Sequence, residues 1–328
     1  MDPALRLGVD LGGTKTEAVV VRLENEPRVL ARLRVPTNRD AGYAHVVATT
    51  AKLVTDVTRE AGLSSAPPIG VGMPGSVTYR RADGSRSEVA LTKNSNTTCL
   101  NGQPFRDDLT RAIGAHASGA IAFANDANCF ALAEATYGAA EGARVTFGVI
   151  LGTGVGGGIV FRDGATARVW DGAQGIAGEW GHVTLDPIGG PPCYCGRRGC
   201  IEQYVSGPAI EARYAARAES GREEAHLASL RASGRELAAI AARVERDPDA
   251  RATIDEVIAI FGRALATVLN VLDPDAVVLG GGVSNLDALY TQGPAEIGKW
   301  IFNDEVRTKI VKHALGDSAG VIGAALLP

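Results

Sequence analysis

The stretch Val145-Thr-Phe-Gly-Val-Ile-Leu151, Gly152-Thr-Gly-Val-Gly-Gly-Gly158, Ile159-Val-Phe161 reads as a buried strand, a glycine-rich turn and a strand going back. The chain uses that order once before: Leu5-Arg-Leu-Gly-Val-Asp10 leads into Leu11-Gly-Gly-Thr-Lys-Thr16 and then Glu17-Ala-Val-Val-Val-Arg22. A strand, turn, strand unit repeated about 140 residues apart predicts two similar lobes. Working outward, a third strand is expected at 28–35. Val46, Val47, Leu53, Val54 and Val57 have helical spacing over 40–62, with Gly62 as the stop. Ile69 to Met73 reads as a short buried strand halted by Pro74-Gly75, and 78–88 as an exposed loop or hairpin tip. A short helix follows Pro104, then a strand at 120–124 and a helix from 127 to about 138. Past the second repeat come an irregular region (163–200), helices over 206–246, and an amphipathic helix over 250–272 ended by Pro274. A strand from Ala276 to Leu279 and a terminal helix at 317–327 complete the chain, and such alternation is α/β.

With 328 residues, 45% hydrophobic and 21% charged, the chain is too apolar for disorder and long enough for one large core or two ordinary ones. A net charge of −4 leaves no electrostatic footprint for nucleic acid, and none is expected as a partner. No uncharged apolar stretch reaches the ~20 residues of a membrane span. Asp2, Arg6 and Asp10 interrupt any signal-like start, so the expected location is the cytoplasm. Five cysteines in a long chain argue against a disulfide scaffold.

Forty-one glycines with no G-X-Y period exclude collagen, and they cluster at the ends of apolar runs, where a backbone approaches a ligand closely. Gly152, Gly154 and Gly157 satisfy G-x-G-x-x-G. A dinucleotide fold, however, needs that loop to open a helix, whereas Ile159-Val-Phe161 before Arg162-Asp-Gly164 reads as a strand and hairpin turn. No G-x-x-x-x-G-K-[ST] occurs. What fits is a nucleotide held between two hairpin turns, one per lobe, whose backbone N–H groups face phosphate oxygens. Gly12, Gly13, Thr14 and Lys15 form the first turn, Thr153 and Gly154 the second. Asp10 would orient Mg2+ through water, and Gly281 and Gly282 would pack on adenosine. Plain tight hairpins are the alternative for any one turn taken alone.

His182, Cys193, Cys195 and Cys200 form an H-x10-C-x-C-x4-C array with Gly196 and Gly199 inside it. Three thiols and an imidazole so close in sequence match a closed, structural Zn2+ site, which would fix a loop lacking its own core. A reduced cysteine loop with an incidental histidine is the plainer reading. Cys99 and Cys129 read as ordinary buried thiols. Asn125-Asp126 falls between a buried strand and a helix, where an Asp is by default an N-cap. The same place allows its carboxylate to project into a cleft and take a proton from a substrate hydroxyl. Glu179 and Glu202 flank the cysteine loop and, with Asn and His, suit a polyhydroxylated ligand. Surface charge is the alternative.

Taken together, Asp10-Leu-Gly-Gly-Thr-Lys15, Gly72-Met-Pro-Gly75, Asn125-Asp-Ala-Asn128, Leu151-Gly-Thr-Gly-Val-Gly-Gly157, Glu179-Trp-Gly-His182, Cys193-Tyr-Cys-Gly-Arg-Arg-Gly-Cys200-Ile-Glu202 and Leu279-Gly-Gly-Gly282 resemble the ROK family of bacterial sugar kinases and repressors. The resemblance implies an actin-like ATPase (ribonuclease H-like) fold with an interlobe active-site cleft. One lobe would span 1–124 and be completed by a last helix at about 314–328; the other would span 125–313 and carry the zinc loop (182–200). It implies Asp126 as general base, with Gly75, Asn96, Asn125, Glu179, His182 and Glu202 on the sugar. His182 would serve zinc through one ring nitrogen and the sugar through the other.

Within the family, Lys93-Asn-Ser-Asn-Thr-Thr-Cys-Leu-Asn-Gly-Gln-Pro-Phe105 looks most like fructokinases that also accept mannose. N-acetylglucosamine kinases share Asn125–Glu134 and the Leu151–Gly158 loop almost as well, and glucokinase is a further alternative. The expected activity is ATP-dependent phosphorylation of a hexose, fructose first, by a homodimer. The family's repressors need a helix-turn-helix ahead of the first strand, here expected at Leu5, so that reading is set aside.

Overall fold

The computed structural model describes residues 2, 4–114, 117, 119, 121–218 and 236–328; of the expected elements, Ala120 and residues 219–235 lie outside the described residues. Strands β1 (Leu5–Leu11), β2 (Lys15–Arg22), β3 (Arg28–Pro36) and β4 (Ile69–Met73) precede a hairpin of β5 (Ser76–Arg80) and β6 (Arg86–Lys93). With β7 (Ile121–Asn125) they build a five-stranded sheet of order β3-β2-β1-β4-β7 and the separate β5-β6 pair. β1, β2 and β3 run antiparallel in turn, while β4 is parallel to β1 and β7 to β4. A second five-stranded sheet comprises β8 (Val145–Leu151), β9 (Val155–Asp163), β10 (Thr166–Val169), β11 (Ala276–Gly280) and β12 (Lys309–Lys312), in the order β10-β9-β8-β11-β12. Position for position the second order repeats the first, which is the duplicated α/β pattern of the actin-like ATPase fold.

By its contacts the chain falls into two compact units: residues 1–148, 158–178 and 314–328 in one, 149–157 and 179–313 in the other. In the first, helix α1 (Tyr43–Glu60) buries Val46, Leu53, Val54 and Val57, the i, i+7, i+8, i+11 stripe read from the sequence. They share a core with Leu7, Val9, Ile69 and Val71 of the sheet and with Phe105 and Leu109 of α2 (Phe105–Ile113). Helix α3 (Asp126–Tyr137) and the last helix, Ala319–Ala325, belong to the same unit. Val321 and Ala325 of the last helix pack on Val19 and Val21 of β2. The approach is so close that a Cβ at Gly8 would stand 2.1 Å from the Val321 carbonyl, one at Gly70 1.7 Å from Ala324 O, and one at Gly323 1.7 Å from Cys129 O.

That return segment is also tied by a buried carboxylate. Glu134 of α3 has no solvent exposure, and its oxygens accept from the backbone N–H groups of Ala139 (2.9 Å), Ala314 (3.0 and 3.1 Å) and Leu315 (2.9 Å). In the second unit the long helix Pro248–Leu272 buries Ile254, Val257, Phe261 and Leu265, and its first turn is capped by Asp247, which accepts from the N–H groups of Asp249 and Ala250.

Two local expectations are corrected and one strand is added. The second glycine turn is only Gly152 to Gly154, because Gly156 to Gly158 belong to β9. Gly158 is there to let α3 approach: a Cβ would lie 2.5 Å from Ala127 O. The stretch 78–88 is part of the β5-β6 hairpin, with only 81–85 as its tip. The short edge strand β12 has no alternating signal strong enough to announce it. Among the described residues no helix is long and apolar enough to cross a membrane.

Candidate active site

In the first unit, Asp10 pairs with Gly72, Gly72 with Ala124, and Met73 with Asn125, so Asp10, Gly75, Asn125 and Asp126 gather at the carboxyl ends of three parallel strands. Open α/β sheets hold their ligands there. The helix cap that sequence leaves to Asp126 falls instead to Asn125. The Asn125 Oδ1 accepts from the Ala127 N–H at 2.9 Å, and its Nδ2 donates to the Gly75 carbonyl at 3.1 Å. Asp126 therefore occupies the first helical position, half-buried, its Oδ1 also accepting from Ala127 N–H at 2.9 Å. Gly75 has φ +88° and would bring any Cβ to 2.5 Å from Lys93 O, so the position admits only glycine.

Burial, then the negative charges of Asp126 and Glu17, push the Asp10 carboxyl up from 3.8 to about 7, with Lys15 and Arg34 opposing. A carboxylate so crowded by its own sign is a natural seat for a cation. Gly320 of the last helix lies against it, where a Cβ would stand 2.7 Å from Oδ2. The first glycine turn is closed by Gly12 N–H to Lys15 O at 3.0 Å and braced by Thr37 Oγ1 on Gly12 O at 2.7 Å, leaving Thr14 and Lys15 exposed. Asn96, expected on the sugar, lies beside this turn: a Cβ on Gly13 would be 3.6 Å from its Oδ1.

The second unit carries the other glycine turn, closed by Gly152 N–H to Gly154 O at 2.9 Å with Thr153 exposed. Gly281, φ +82°, rides over β8, where a Cβ would stand 2.3 Å from Leu151 O; Gly282 beside it is exposed. Glu202 is buried, with Oε2 accepting from the Val155 N–H at 2.9 Å. Burial raises the Glu179 carboxyl above its usual range, the nearby Glu202 adds to this, and His182 opposes it.

His182, Cys193, Cys195 and Cys200 bring one ligand atom each within 4.8 Å of one another. The loop shape follows from its turns. Cys193 N–H donates to Arg197 O, Leu185 N–H to Gly199 O, and Asp186 accepts from the N–H groups of Ile188 and Gly189. Gly199, φ +67°, sits so near Asp186 that a Cβ would be 1.9 Å from its carbonyl oxygen. Three thiols and an imidazole converging in this way are the donor set of a tetrahedral, thiolate-rich metal centre. The His182 Nδ1 faces this cluster, 3.7 Å from Cys193 Sγ, while its Nε2 is hydrogen-bonded to the Tyr194 hydroxyl at 3.0 Å.

Sequence reasoning missed Tyr194, the Trp180 indole N–H on Gly156 O at 3.0 Å, and the Asn128 Nδ2 that donates to Asp171 Oδ1 at 3.1 Å. Only Trp180 carried a signal, as a large apolar residue wedged between Glu179 and Gly181.

An acid at the end of β1, another opening α3, a glycine turn on each of two like sheets and a His/Cys3 loop define a class of protein, and the chain belongs to the ROK family, whose model matches residues 6–328. Among curated relatives, an N-acetyl-D-glucosamine kinase of Photobacterium profundum is 36% identical over 332 residues and one of Vibrio vulnificus 34% identical over 334, each alignment covering 98% of both chains. Among solved structures, a ROK hexokinase from Thermus thermophilus matches with TM-score 0.76 and 33% identity over 98% of this chain and 97% of that one. A ROK family glucokinase from Streptomyces griseus, in complex with glucose and AMPPNP, matches with TM-score 0.74 and 28% identity over 98% of each. The likeness to fructokinases read from Lys93–Phe105 is not what these relatives favour.

Proposed function

We propose that the chain is an ATP- and Mg2+-dependent hexose kinase that transfers the γ-phosphoryl group to the sugar 6-hydroxyl. The observation that carries this is the pair of acids at the carboxyl ends of one sheet, Asp10 and Asp126, with Asn125 as the N-cap of the helix that Asp126 begins. Asp126 accepts the hydroxyl proton as the sugar oxygen attacks in line. In the first turn, which Gly12 closes, the Gly13 amide faces phosphate oxygens and Thr14 and Lys15 add donors; in the second the Thr153 and Gly154 amides do the same, and Gly281-Gly282 packs on adenosine. Mg2+, when bound, supplies positive charge to the transferring phosphoryl, and Asp10 is the residue placed to hold it through water.

His182, Cys193, Cys195 and Cys200 hold a structural Zn2+, and their loop presents Glu179, His182 and Glu202 to the sugar, with Gly75, Asn96 and Asn125 as its further contacts. Tyr194 then yields the His182 Nε2 to a sugar hydroxyl. Because the similar curated proteins are N-acetyl-D-glucosamine kinases, that sugar is the first substrate of this reading and glucose the next. Fructose, with mannose, is kept as the second reading on the strength of Lys93–Phe105. A coupled ADP-release assay across N-acetylglucosamine, glucose, mannose and fructose ranks them by kcat/KM. Turnover restricted to fructose and mannose would reverse that order of preference, and no turnover on any of the four would end the kinase reading.

A further inference from the structure

The glycine turn Gly152–Gly154 and the start of β9 are held by the two ends of the cysteine loop. Before the loop, Trp180, only 3% exposed, donates its indole Nε1–H to the Gly156 carbonyl at 3.0 Å. Its neighbour Gly181 lies so close that a Cβ would stand 2.2 Å from Val155 O. After the loop, the Glu202 Oε2 takes the Val155 N–H at 2.9 Å and lies where a Cβ on Gly154 would meet it at 2.8 Å. Gly207 N–H closes the set on Gly152 O at 2.8 Å.

Val155 N–H is thus already spent and cannot face a phosphate, which leaves the Thr153 and Gly154 amides at the tip. The aim of those amides is fixed by side chains that belong to the sugar and metal loop. Resting on the kinase reading above, we infer that Trp180 is a positioning residue for the nucleotide: its indole N–H fixes, from the metal-loop side, the start of β9 that leads out of the ATP turn. The cysteine loop then organises both substrates, sugar through Glu179, His182 and Glu202, and nucleotide through Trp180 and Glu202. Neither metal ligand nor substrate contact is needed for Trp180 to do this; the hydrogen bond to Gly156 O suffices.

The test is Trp180→Phe, which keeps a buried aromatic ring and removes the donor together with part of the indole volume. Calorimetric titration with AMPPNP, and separately with N-acetylglucosamine or glucose, is run on the intact protein with its metal content measured. The expected result is a roughly tenfold loss of AMPPNP affinity and a matching rise in KM for ATP, about the worth of one hydrogen bond withdrawn from the support of the turn. Sugar affinity, metal content and kcat should change less than about twofold. Unchanged AMPPNP affinity in Trp180→Phe, or sugar and nucleotide affinities falling together, overturns the inference.

Should Trp180→Phe fail to fold, a protein with Trp170 and Trp300 replaced by Phe leaves Trp180 as the sole fluorophore of the three tryptophans. Saturating AMPPNP must then alter its emission, and an emission that does not respond is the contrary result. Wild-type protein that binds no AMPPNP at all refutes the kinase reading itself, which separates that failure from failure of the Trp180 assignment.

Discussion

Glu134→Gln is a nearly isosteric change that the structure makes costly. Oε1 accepts from Ala314 and Leu315, and Oε2 accepts from Ala139 and Ala314. A glutamine replaces one of these oxygens by an NH2 group, and neither orientation is satisfactory. If the amide nitrogen takes the Oε1 place, Leu315 N–H loses its acceptor; if it takes the Oε2 place, Ala139 N–H does. One buried N–H left unpaired costs about 1–3 kcal/mol, and the surviving bonds lose their charge assistance, giving about 2–4 kcal/mol in all. Urea denaturation followed by circular dichroism measures the loss, and hydrogen exchange at the Ala139 and Leu315 amides locates it. Glu141→Gln, on the exposed surface nearby, serves as control and should stay within about 0.5 kcal/mol of wild type. A Glu134→Gln protein equally close to wild type would refute the claim that this carboxylate ties the returning C-terminal segment to α3.

The folded chain keeps the Asp10 proton up to about pH 7 while the unfolded chain releases it near 3.8. The folded state therefore binds more protons between these values, and this residue's contribution to stability is lost as pH rises through that window. Asp10→Asn should accordingly melt higher than wild type at pH 8 without Mg2+, and wild type should gain more than the variant when Mg2+ is added; equal responses would remove Asp10 from the cation site. Stripping the metal with a chelator should abolish sugar binding and lower the melting temperature. Metal analysis of purified active protein should return one zinc per chain, and active protein without zinc contradicts the structural role.

The repeat of strand, glycine turn and strand was enough to announce a duplicated α/β fold, because buried strands and tight turns leave local signals. The identity of the helix cap was not legible: Asn125 and Asp126 are both good capping residues, and only the register of β7 on β4, which places Asn125 Nδ2 on Gly75 O, decides between them. Glycine was half legible. Gly12, Gly152 and Gly281 stand at turns as their clusters suggest, but Gly8, Gly70 and Gly158 are dictated by helices crossing a sheet within contact distance and Gly323 by the last helix meeting α3, properties of tertiary packing with no local mark. The cysteine array was readable from spacing, since ligand chemistry is local. The bonds from Trp180 and Glu202 to the start of β9 were not, because 24 and 47 residues separate the partners.

On the proposed function, Asp126 is the base of a hexose kinase. The most direct measurement is ADP release with saturating ATP, Mg2+ and the best hexose of the panel, for wild type and Asp126→Asn side by side. Hexose-dependent turnover is expected in the wild type, and a loss of about 10²–10⁴-fold in kcat for the variant, with sugar and nucleotide affinities largely kept. An Asp126→Asn enzyme turning over at the wild-type rate would contradict the assignment.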